Sequence, residues 1–547
     1  MAQQKSEDCA VPEGRRKPVS TQDGSHGGSP QDDGPVPLSR KQGVEGEPTG
    51  GGKAVPVKEV DRQLLLPFAT VESPRPGCGA TGADDVDLST PKAREAPKAK
   101  VKPKQVGPAR MEEVVERLEV AFGKVAANKG APGPDRQTIE QVARHLPETL
   151  AKLRACLLDG SYRPGDIRRV WIPKAGGGQR GLGIPNVVDR VVQEAVRAVL
   201  EPLYEPTFHE SSHGFRPNRG CHTAIKEARA HVEAGYEWVV DLDLEKFFDR
   251  VNHDRLLARL ARRVEDKRLL ALIGQMLKAK VVMPEGVKVS TEEGVPQGGP
   301  LSPLLSNVVL SELDDELTRR KHRFVRYADD CNVYVRSERA GQRVKASITT
   351  FIESRLRLKV NEAKSAVARP DTRHFLGYRL IPVTGQPAEV ALSERSEKRL
   401  RERIQELTPR SAGRSLREII SRINAYLNGW LGHFRVCTAA AERTLQGVDA
   451  HTRRRLRAIV LKHWKRPRTI ARRLISLGVR PETAWRRTYE GKQSTWALSH
   501  DPAVDRGLCN AYFAKRGLLS LKETFRSIWA AMLAPKQLEL PWDTARS

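Results

Sequence analysis

Residues 324–335 read FVRYADDCNVYV. Apolar residues rich in Val, Phe and Tyr flank the segment Tyr327-Ala328-Asp329-Asp330, and this composition is typical of two buried strands. A turn between the strands would place Asp329 and Asp330 at the tip of a hairpin. A third apolar run, residues 238–240, leads into Asp243. Acids paired at strand ends supply the carboxylate oxygens that Mg²⁺ prefers, although Asp also favours turns for conformational reasons.

The surrounding sequence predicts an α+β fold. Between residues 109 and 385, short β-rich runs alternate with amphipathic helical patterns, such as the apolar stripe over residues 188–203. Two apolar runs around a glycine-rich turn predict a hairpin over residues 170–185. Beyond residue 390 the strand patterns stop, so residues 390–490 are expected to form a helical domain and residues 491–547 a basic extension.

The first 108 residues have a different composition. They contain 14 Gly and 14 Pro, and Phe68 is their single aromatic residue. Such a segment cannot bury enough apolar surface to offset the entropy that is lost on ordering. We therefore predict that residues 1–108 are disordered.

The net charge predicts a polyanionic partner. The chain has 547 residues, with 94 Lys and Arg against 67 Asp and Glu, which gives a net charge of +27. Residues 450–481 contain 11 basic residues and no acidic one, whereas a solvated helix face normally mixes both signs. Clustered positive charge binds nucleic acid backbones through counterion release. The residues predicted to contact RNA are Arg453, Arg454, Arg455, Arg457, Lys462, Lys465, Arg466 and Arg468.

The composition also excludes several classes of protein. No run approaches the ~18 uncharged apolar residues that a membrane span needs. The first thirty residues lack the charged and apolar regions of a secretory signal. The seven Cys are scattered without a CxxC pair, so neither a zinc ribbon nor a disulfide scaffold is indicated. We expect a cytoplasmic bacterial protein that associates with the nucleoid rather than with a membrane.

Several motifs follow one another in a fixed order. They are IPK at 172–174, RGLGIP at 180–185, HGFRP at 213–217, DLEKFFD at 243–249, GVPQGGPLSP at 294–303, YADD at 327–330, LKVNEAKS at 358–365 and FLGY at 375–378. This order closely resembles the fingers and palm of group II intron reverse transcriptases, over residues 110–385. The basic helical region, notably WKRPR at 464–468, resembles the maturase (thumb) domain of the same family. The resemblance implies a right-hand polymerase fold, with fingers, a palm built on an antiparallel sheet, and then an α-helical thumb.

The resemblance also implies roles for individual residues. Asp243, Asp329 and Asp330 would be catalytic and hold two Mg²⁺ ions, and Leu244 would add at most a backbone carbonyl ligand. The residues implied to bind the incoming deoxynucleoside triphosphate are Lys174, Arg180, Phe248, Gln297 and Lys364. Phe248 matches the aromatic residue that blocks a ribose 2′-hydroxyl. Lys364 could donate a proton to departing pyrophosphate or could contact a phosphate.

The function implied by the resemblance is that of an RNA-directed DNA polymerase. The enzyme would also bind its own intron RNA, assist splicing and copy the intron by target-primed reverse transcription during retrohoming. Its partners would be the intron RNA, the primer strand of a DNA target and deoxynucleoside triphosphates. Two alternatives stay open, namely a splicing cofactor that has lost polymerisation and a reverse transcriptase of a retron, diversity-generating or CRISPR-linked system. The sequence leaves a homodimer open as well.

Two further features lie towards the C-terminus. No paired Cys follow Trp496, so the His-Asn-His nuclease of some relatives is expected to be absent. Residues 537–542, from Gln537 to Trp542, read QLELPW and resemble the peptide with which bacterial proteins dock on the replicative sliding clamp. Apolar anchors on a flexible segment could order on binding, and a chance hydrophobic patch is the alternative.

Overall fold

The computed structural model describes residues 109–173, 178–409, 413–490 and 494–533. The segment 1–108, Lys174 and the clamp-like peptide 537–542 therefore lie outside the described residues. The chain is an α+β protein with antiparallel sheets and a helical C-terminal region, as the sequence predicts.

Helices dominate the first half of the described chain. In chain order the elements are α1 (Met111–Glu116), α2 (Leu118–Ala127), α3 (Ile139–Arg144), α4 (Leu146–Leu158), β1 (Ile167–Pro173), β2 (Gln179–Ile184), α5 (Val187–Tyr204), α6 (Cys221–Glu233), β3 (Trp238–Leu242), α7 (His253–Leu260), α8 (Lys267–Leu277), β4 (Val281–Val282) and β5 (Lys288–Val289). Helix α5 carries the predicted apolar stripe, since Val191, Val192, Ala195 and Val199 are all buried.

Strands continue to residue 392 and then give way to helices. The next elements are α9 (Ser302–Arg319), β6 (Arg323–Tyr327), β7 (Asp330–Val335), α10 (Glu338–Phe351), β8 (Ala366–Ala368), β9 (Tyr378–Ile381) and β10 (Glu389–Leu392). The C-terminal helices are α11 (Glu394–Leu407), α12 (Leu416–Phe434), α13 (Glu442–Trp464), α14 (Pro467–Ser476), α15 (Pro481–Tyr489), α16 (Thr495–Leu498), α17 (Pro502–Gly507), α18 (Asn510–Ala514) and α19 (Leu521–Leu533). Within the described ranges, none of these helices is both long and apolar enough to traverse a bilayer.

Three sheets connect these elements. The predicted hairpin β1–β2 pairs antiparallel and joins β4 and β5 in a sheet of order β2-β1-β4-β5. Strands β9 and β10 form a separate two-stranded sheet. The central sheet has the order β6-β7-β3-β8 and is antiparallel throughout.

The register of the central sheet places its acidic residues. Tyr327 lies opposite Asp330, so Ala328 and Asp329 form the tight turn of the predicted hairpin. Leu242 lies opposite Cys331, which brings the next residue of β3, Asp243, to the same edge as Asp330. Side chains alternate between the two faces of a strand. The acids therefore lie on the face opposite to Leu242, which is buried in the core.

Two hydrophobic cores pack on the central sheet. The first includes Val240, Leu242 and buried residues of α1, α2, α5 and α7 to α10. The second includes Val239, Tyr334 and the buried faces of α6, β9, β10 and the C-terminal helices as far as Phe525 in α19. Residues 494–533 thus continue the packing of the preceding helices.

The buried side chain of Arg326 supports the turn formed by Ala328 and Asp329. Arg326 and its ion-pair partner Asp314 are both 0% exposed. The guanidinium donates to both carboxylate oxygens of Asp314, at 2.7 and 2.6 Å, and to the Ser212 hydroxyl at 2.7 Å. It also donates to Asn307 Oδ1 at 3.1 Å and to the Ala328 carbonyl at 2.8 Å. All five N–H groups of the guanidinium therefore have acceptors.

The bond to Ala328 holds a residue in an unusual conformation. Ala328 has φ +56°, in the left-handed region that a residue with a Cβ rarely adopts. Gly214 packs so closely beneath it that a Cβ at Gly214 would lie 2.3 Å from the Ala328 nitrogen. The HGFRP segment thus packs directly against the turn at Ala328.

We predict that breaking the Arg326–Asp314 pair destabilises the protein strongly. Arg326→Met should cost about 3–5 kcal/mol of unfolding free energy, because it leaves the Asp314 carboxylate buried without its partner. The double variant Arg326→Met/Asp314→Leu should lose at least about 1 kcal/mol less than the sum of the single variants. Urea unfolding measures both effects. The exposed Arg323→Met on the same strand is the control, and strictly additive losses would contradict the coupling.

Candidate active site

Backbone hydrogen bonds fix the end of β3 where Asp243 stands. The Asp243 N–H donates to the Ser365 hydroxyl at 3.0 Å, and its carbonyl accepts from the Asn361 N–H at 2.8 Å. The Glu245 N–H donates to the Lys359 carbonyl at 2.8 Å, on the same side of the chain. Because backbone groups alternate along an extended chain, the Leu244 carbonyl points the other way, towards β7. This orientation is compatible with the predicted carbonyl ligand.

The acidic residues at this edge repel one another. The pKa of Asp330 is raised to about 7, first because surrounding protein desolvates the carboxyl and then because Asp329, Asp241 and Asp243 are negatively charged. Asp330 is exposed to solvent on one side, but protein lies on most sides of its carboxyl group. Burial also raises the pKa of Asp329, with a further contribution from Asp243. A cluster of carboxylates held together in this way fits a divalent cation.

Among the described residues, Lys364 and Arg180 offset part of this negative charge. Lys364 Nζ lies 3.3 Å from Asp243 Oδ2, and its side chain is 65% exposed. The exposed Arg180 on β2 lowers the pKa of Asp329 through its charge, so it lies within electrostatic reach of the site. Two of the predicted triphosphate contacts therefore lie close to the aspartates in the structure.

Two more of the predicted nucleotide contacts, Phe248 and Gln297, lie on segments that hydrogen bonds connect to β2. The Gly183 N–H donates to the Gln297 carbonyl at 2.7 Å, which ties the loop 294–299 to β2. Gly298, at φ +127°, permits this approach, because a Cβ there would lie 2.4 Å from the Gly183 carbonyl oxygen. The Val295 N–H donates to the Phe248 carbonyl at 2.6 Å. Phe248 and Gln297 thus belong to neighbouring segments, whereas Lys174 lies outside the described residues.

The basic residues of α13, of α14 and of the two positions between them divide into a buried group and a group that is exposed or half-buried. Lys462, Lys465, Arg466 and Arg468 are exposed, Arg453 is half-buried, and the half-buried Arg454 guanidinium stacks 4.2 Å from the centre of the Trp496 ring. Lys465, Arg466 and Arg468 stand at a sharp corner, where Lys465 has φ +60° and Pro467 begins α14. We call Lys465, Arg466 and Arg468 the basic corner.

Two of the predicted RNA contacts are corrected by the structure. Arg455 is buried and donates to the Thr408 hydroxyl and to the carbonyls of Gln405 and Thr408. Arg457 is also buried, donates to the Leu508 carbonyl at 2.9 Å and pairs with Asp505. Their guanidinium groups hold helices together inside the C-terminal region and are not presented to a phosphate backbone. The prediction of RNA contact is therefore wrong for Arg455 and Arg457.

Sequence reasoning also missed residues that shape the site. Asp241 stands two residues before Asp243 on the same face of β3 and pairs with Arg373, whose Nε donates to Asp241 Oδ2 at 3.0 Å. Arg373 also donates to the Lys364 carbonyl at 3.0 Å, which positions the Lys364 turn beside Asp243. The period-two spacing of Asp241 and Asp243 was the available signal.

We predict that Asp330→Asn stabilises the metal-free protein at neutral and higher pH. An acid whose pKa is raised from 3.8 to about 7 binds more protons in the folded state, so its contribution to stability falls as pH rises through this window. In EDTA, the excess in Tm of the variant over the wild type should therefore be larger at pH 8 than at pH 5. Asp249→Asn, which removes one exposed carboxylate, is the control. An equal excess at both pH values would contradict the raised pKa.

Two regions of the chain match models of known protein families. Residues 172–380 match the family model described as reverse transcriptase (RNA-dependent DNA polymerase). Residues 397–475 match the model described as group II intron, maturase-specific domain. A solved structure titled partial Cas6-RT-Cas1–Cas2 complex is 22% identical, covers 44% of this chain and 42% of its own, and has a TM-score of 0.30, which is too low to support an argument.

Two curated relatives are each similar to about half of this chain. Protein YkfC of Escherichia coli is 35% identical over 307 residues, which cover 49% of this chain and 80% of that protein. The group II intron-encoded protein LtrA of Lactococcus lactis is 30% identical over 326 residues, which cover 47% of this chain and 54% of LtrA, about half its length. The chain matches both domain models and is 35% identical to a relative of which 80% is covered. These findings show that this chain belongs to the group II intron-type reverse transcriptase and maturase family.

Proposed function

We propose that this protein is an RNA-directed DNA polymerase that copies its intron RNA from a DNA primer and assists splicing of that RNA. The observation that supports the polymerase most directly is the register of β3 and β7, which brings Asp243 to the edge that carries Asp329 and Asp330. The match to the reverse transcriptase model spans both strands. Copying during retrohoming would start from the 3′-hydroxyl of the target DNA.

The aspartates would hold two Mg²⁺ ions, together with the Leu244 carbonyl. The fit rests on the donor set, since hard cations prefer oxygen ligands. The pKa of Asp330 is raised first by burial and then by the charges of Asp329, Asp241 and Asp243, so a bound cation would offset repulsion that is already present. Bound Mg²⁺ would supply electrostatic stabilisation of the oxygens that exchange partners in phosphoryl transfer. The protein itself contributes a rigid strand end, fixed by Ser365 and Asn361.

The nucleotide would lie between β2 and the loop 294–299. Arg180 offers a planar fork of donors to a triphosphate, and Lys174, outside the described residues, would add a point charge. Phe248, half-buried beside this loop, would limit space at the ribose 2′ position, and Gln297 would line the same pocket. Lys364 Nζ lies 3.3 Å from Asp243 Oδ2, where it could contact the phosphates or protonate pyrophosphate.

The intron RNA would contact the exposed basic residues of α13 and α14. Lys462, Lys465, Arg466 and Arg468 are accessible, with Arg453 and Arg454 beside them. Structured RNA is recognised mainly through its shape, phosphates and 2′-hydroxyls, for which exposed Lys and Arg are suited. Docking on a sliding clamp through residues 537–542 and association with the nucleoid remain further parts of this proposal, and the peptide lies outside the described residues.

We predict that the carboxylates are needed for copying and not for splicing assistance. Asp330→Asn and Asp329→Ala should each lower primer extension on an RNA template with Mg²⁺ by more than about 100-fold, since loss of a residue that only hydrogen-bonds to a metal ligand already costs about 10–100-fold. Intron splicing by the same variants should change little, because the splicing chemistry belongs to the RNA. Parallel loss of both activities in folded protein would contradict this division, and Asp249→Asn is the matched control.

We predict that the basic corner supplies part of the electrostatic affinity for intron RNA. Replacing Lys465, Arg466 and Arg468 together by Ala should weaken binding and reduce the slope of log K against log salt by about 2–3, at roughly 0.7–0.9 per phosphate contact. The matched control replaces three exposed arginines of α9 and α10, Arg319, Arg339 and Arg343, and loses the same charge. Equal slopes for the two triple variants would place the RNA elsewhere.

A further inference from the structure

A cluster of three potential metal ligands lies outside the carboxylate site. Cys221 and His222 form the first turn of α6, and His433 lies in the last turn of α12. One ligand atom from each residue can be chosen so that all three lie within 4.8 Å of one another. Cys221 and His222 are adjacent, but His433 is 212 residues from Cys221 in the sequence, so CxxC spacing does not reveal the cluster.

The closest ligand pair has the separation expected across a zinc ion. Cys221 Sγ lies 3.6 Å from His433 Nδ1. Typical Zn–S and Zn–N distances of about 2.3 and 2.1 Å, at a tetrahedral angle, separate the two ligand atoms by about 3.6 Å. Thiolate and imidazole are also the ligand types that zinc prefers over the carboxylate oxygens favoured by Mg²⁺.

Both imidazoles are oriented by backbone carbonyls, as metal-bound histidines usually are. His222 Nε2 lies 2.7 Å from the His433 carbonyl, so it donates its proton there and leaves a lone pair on Nδ1. His433 hydrogen-bonds the backbone of Leu376 as well.

The surroundings can accommodate the ion. Cys221 and both histidines are half-buried, which leaves solvent access for a fourth ligand. Arg435 Nη2 lies 3.5 Å from His222 Nδ1 and is the cation nearest to the cluster in the described contacts. Arg435 is exposed, so its side chain can move into solvent when Nδ1 binds a metal.

We propose that Cys221, His222 and His433 bind one Zn²⁺ ion, with a water molecule as the fourth ligand. On binding, the Cys221 thiol loses its proton to solvent, and the ion exchanges all but one of its water ligands for the thiolate and the two imidazoles. The ion would link the start of α6, which packs on the central sheet, to the end of α12 in the C-terminal helices. This site is independent of the proposed polymerase activity.

The test uses the full-length protein with Co²⁺ as a spectroscopic substitute for Zn²⁺. Excess Mg²⁺ is present throughout to occupy the carboxylate site. We expect one equivalent of Co²⁺ to produce the charge-transfer absorption of a cobalt–thiolate bond, and one equivalent of Zn²⁺ to remove it. Cys221→Ser should abolish this absorption and His222→Asn should weaken Co²⁺ binding. Cys156→Ser and Cys509→Ser, which change half-buried and exposed cysteines elsewhere, should keep it.

A second measurement needs no variant. Zn²⁺ should slow alkylation of Cys221 in the wild-type protein by at least about tenfold, read by mass spectrometry, because a metal-bound thiolate is no longer a free nucleophile. Alkylation of the exposed Cys509 should not change. The proposal is overturned if Cys221→Ser retains the thiolate absorption, if the wild type shows none at one equivalent of Co²⁺, or if Zn²⁺ leaves Cys221 as reactive as before.

Discussion

The buried guanidinium of Arg326 is the interaction on which the candidate site depends. An arginine without access to water is costly unless each donor finds an acceptor, and all five donors of Arg326 do. Its acceptors come from helix α9, from the HGFRP region and from the turn that it supports. Helix α9, the segment at Ser212 and the turn at Ala328 are therefore fixed by one side chain. The left-handed Ala328 is kept in place because its carbonyl is one of those acceptors.

This rigid support explains how like charges can be held together. Asp241, Asp243, Asp329 and Asp330 would relax apart on a flexible scaffold. Beyond the effect of burial, the charge of Asp243 raises the pKa of the other three acids, and the charges of Asp241 and Asp329 also raise that of Asp330. The strand register and the Arg326 network prevent that movement, so the repulsion is retained as a cost to stability. Arg373 offsets part of it at Asp241, and Lys364 offsets part at Asp243. A site arranged in this way is preorganised for cations, because their binding relieves repulsion that the fold already carries.

Local sequence patterns predicted the secondary-structure elements whose formation depends mainly on neighbouring residues. The YADD hairpin, strand β3 and helix α5 follow from periodicity and turn composition, and the order of motifs led to the family and to the aspartates. The Arg326–Asp314 and Asp241–Arg373 pairs were not predicted, because the burial of a charged residue depends on a partner that sequence spacing does not reveal. The same limit explains Arg455 and Arg457. In a run of basic residues they looked like surface charge, yet their acceptors, on Thr408 and Leu508, lie about 50 residues away along the chain.

The C-terminal helices are part of the same packing that supports the strands next to the aspartates. Val239 and Tyr334, on the central sheet, share a core with Ile420 and Leu427 of α12 and with Phe525 of α19. Asp449 of α13 caps the start of α19 by accepting from the Leu521 N–H at 2.9 Å and from the Ser520 hydroxyl at 2.8 Å. Helix α13, which leads into the basic corner, is therefore held in this core together with α12 and α19. RNA bound at the corner would be held at a fixed position relative to the aspartates, which a flexible tether between separate domains could not provide.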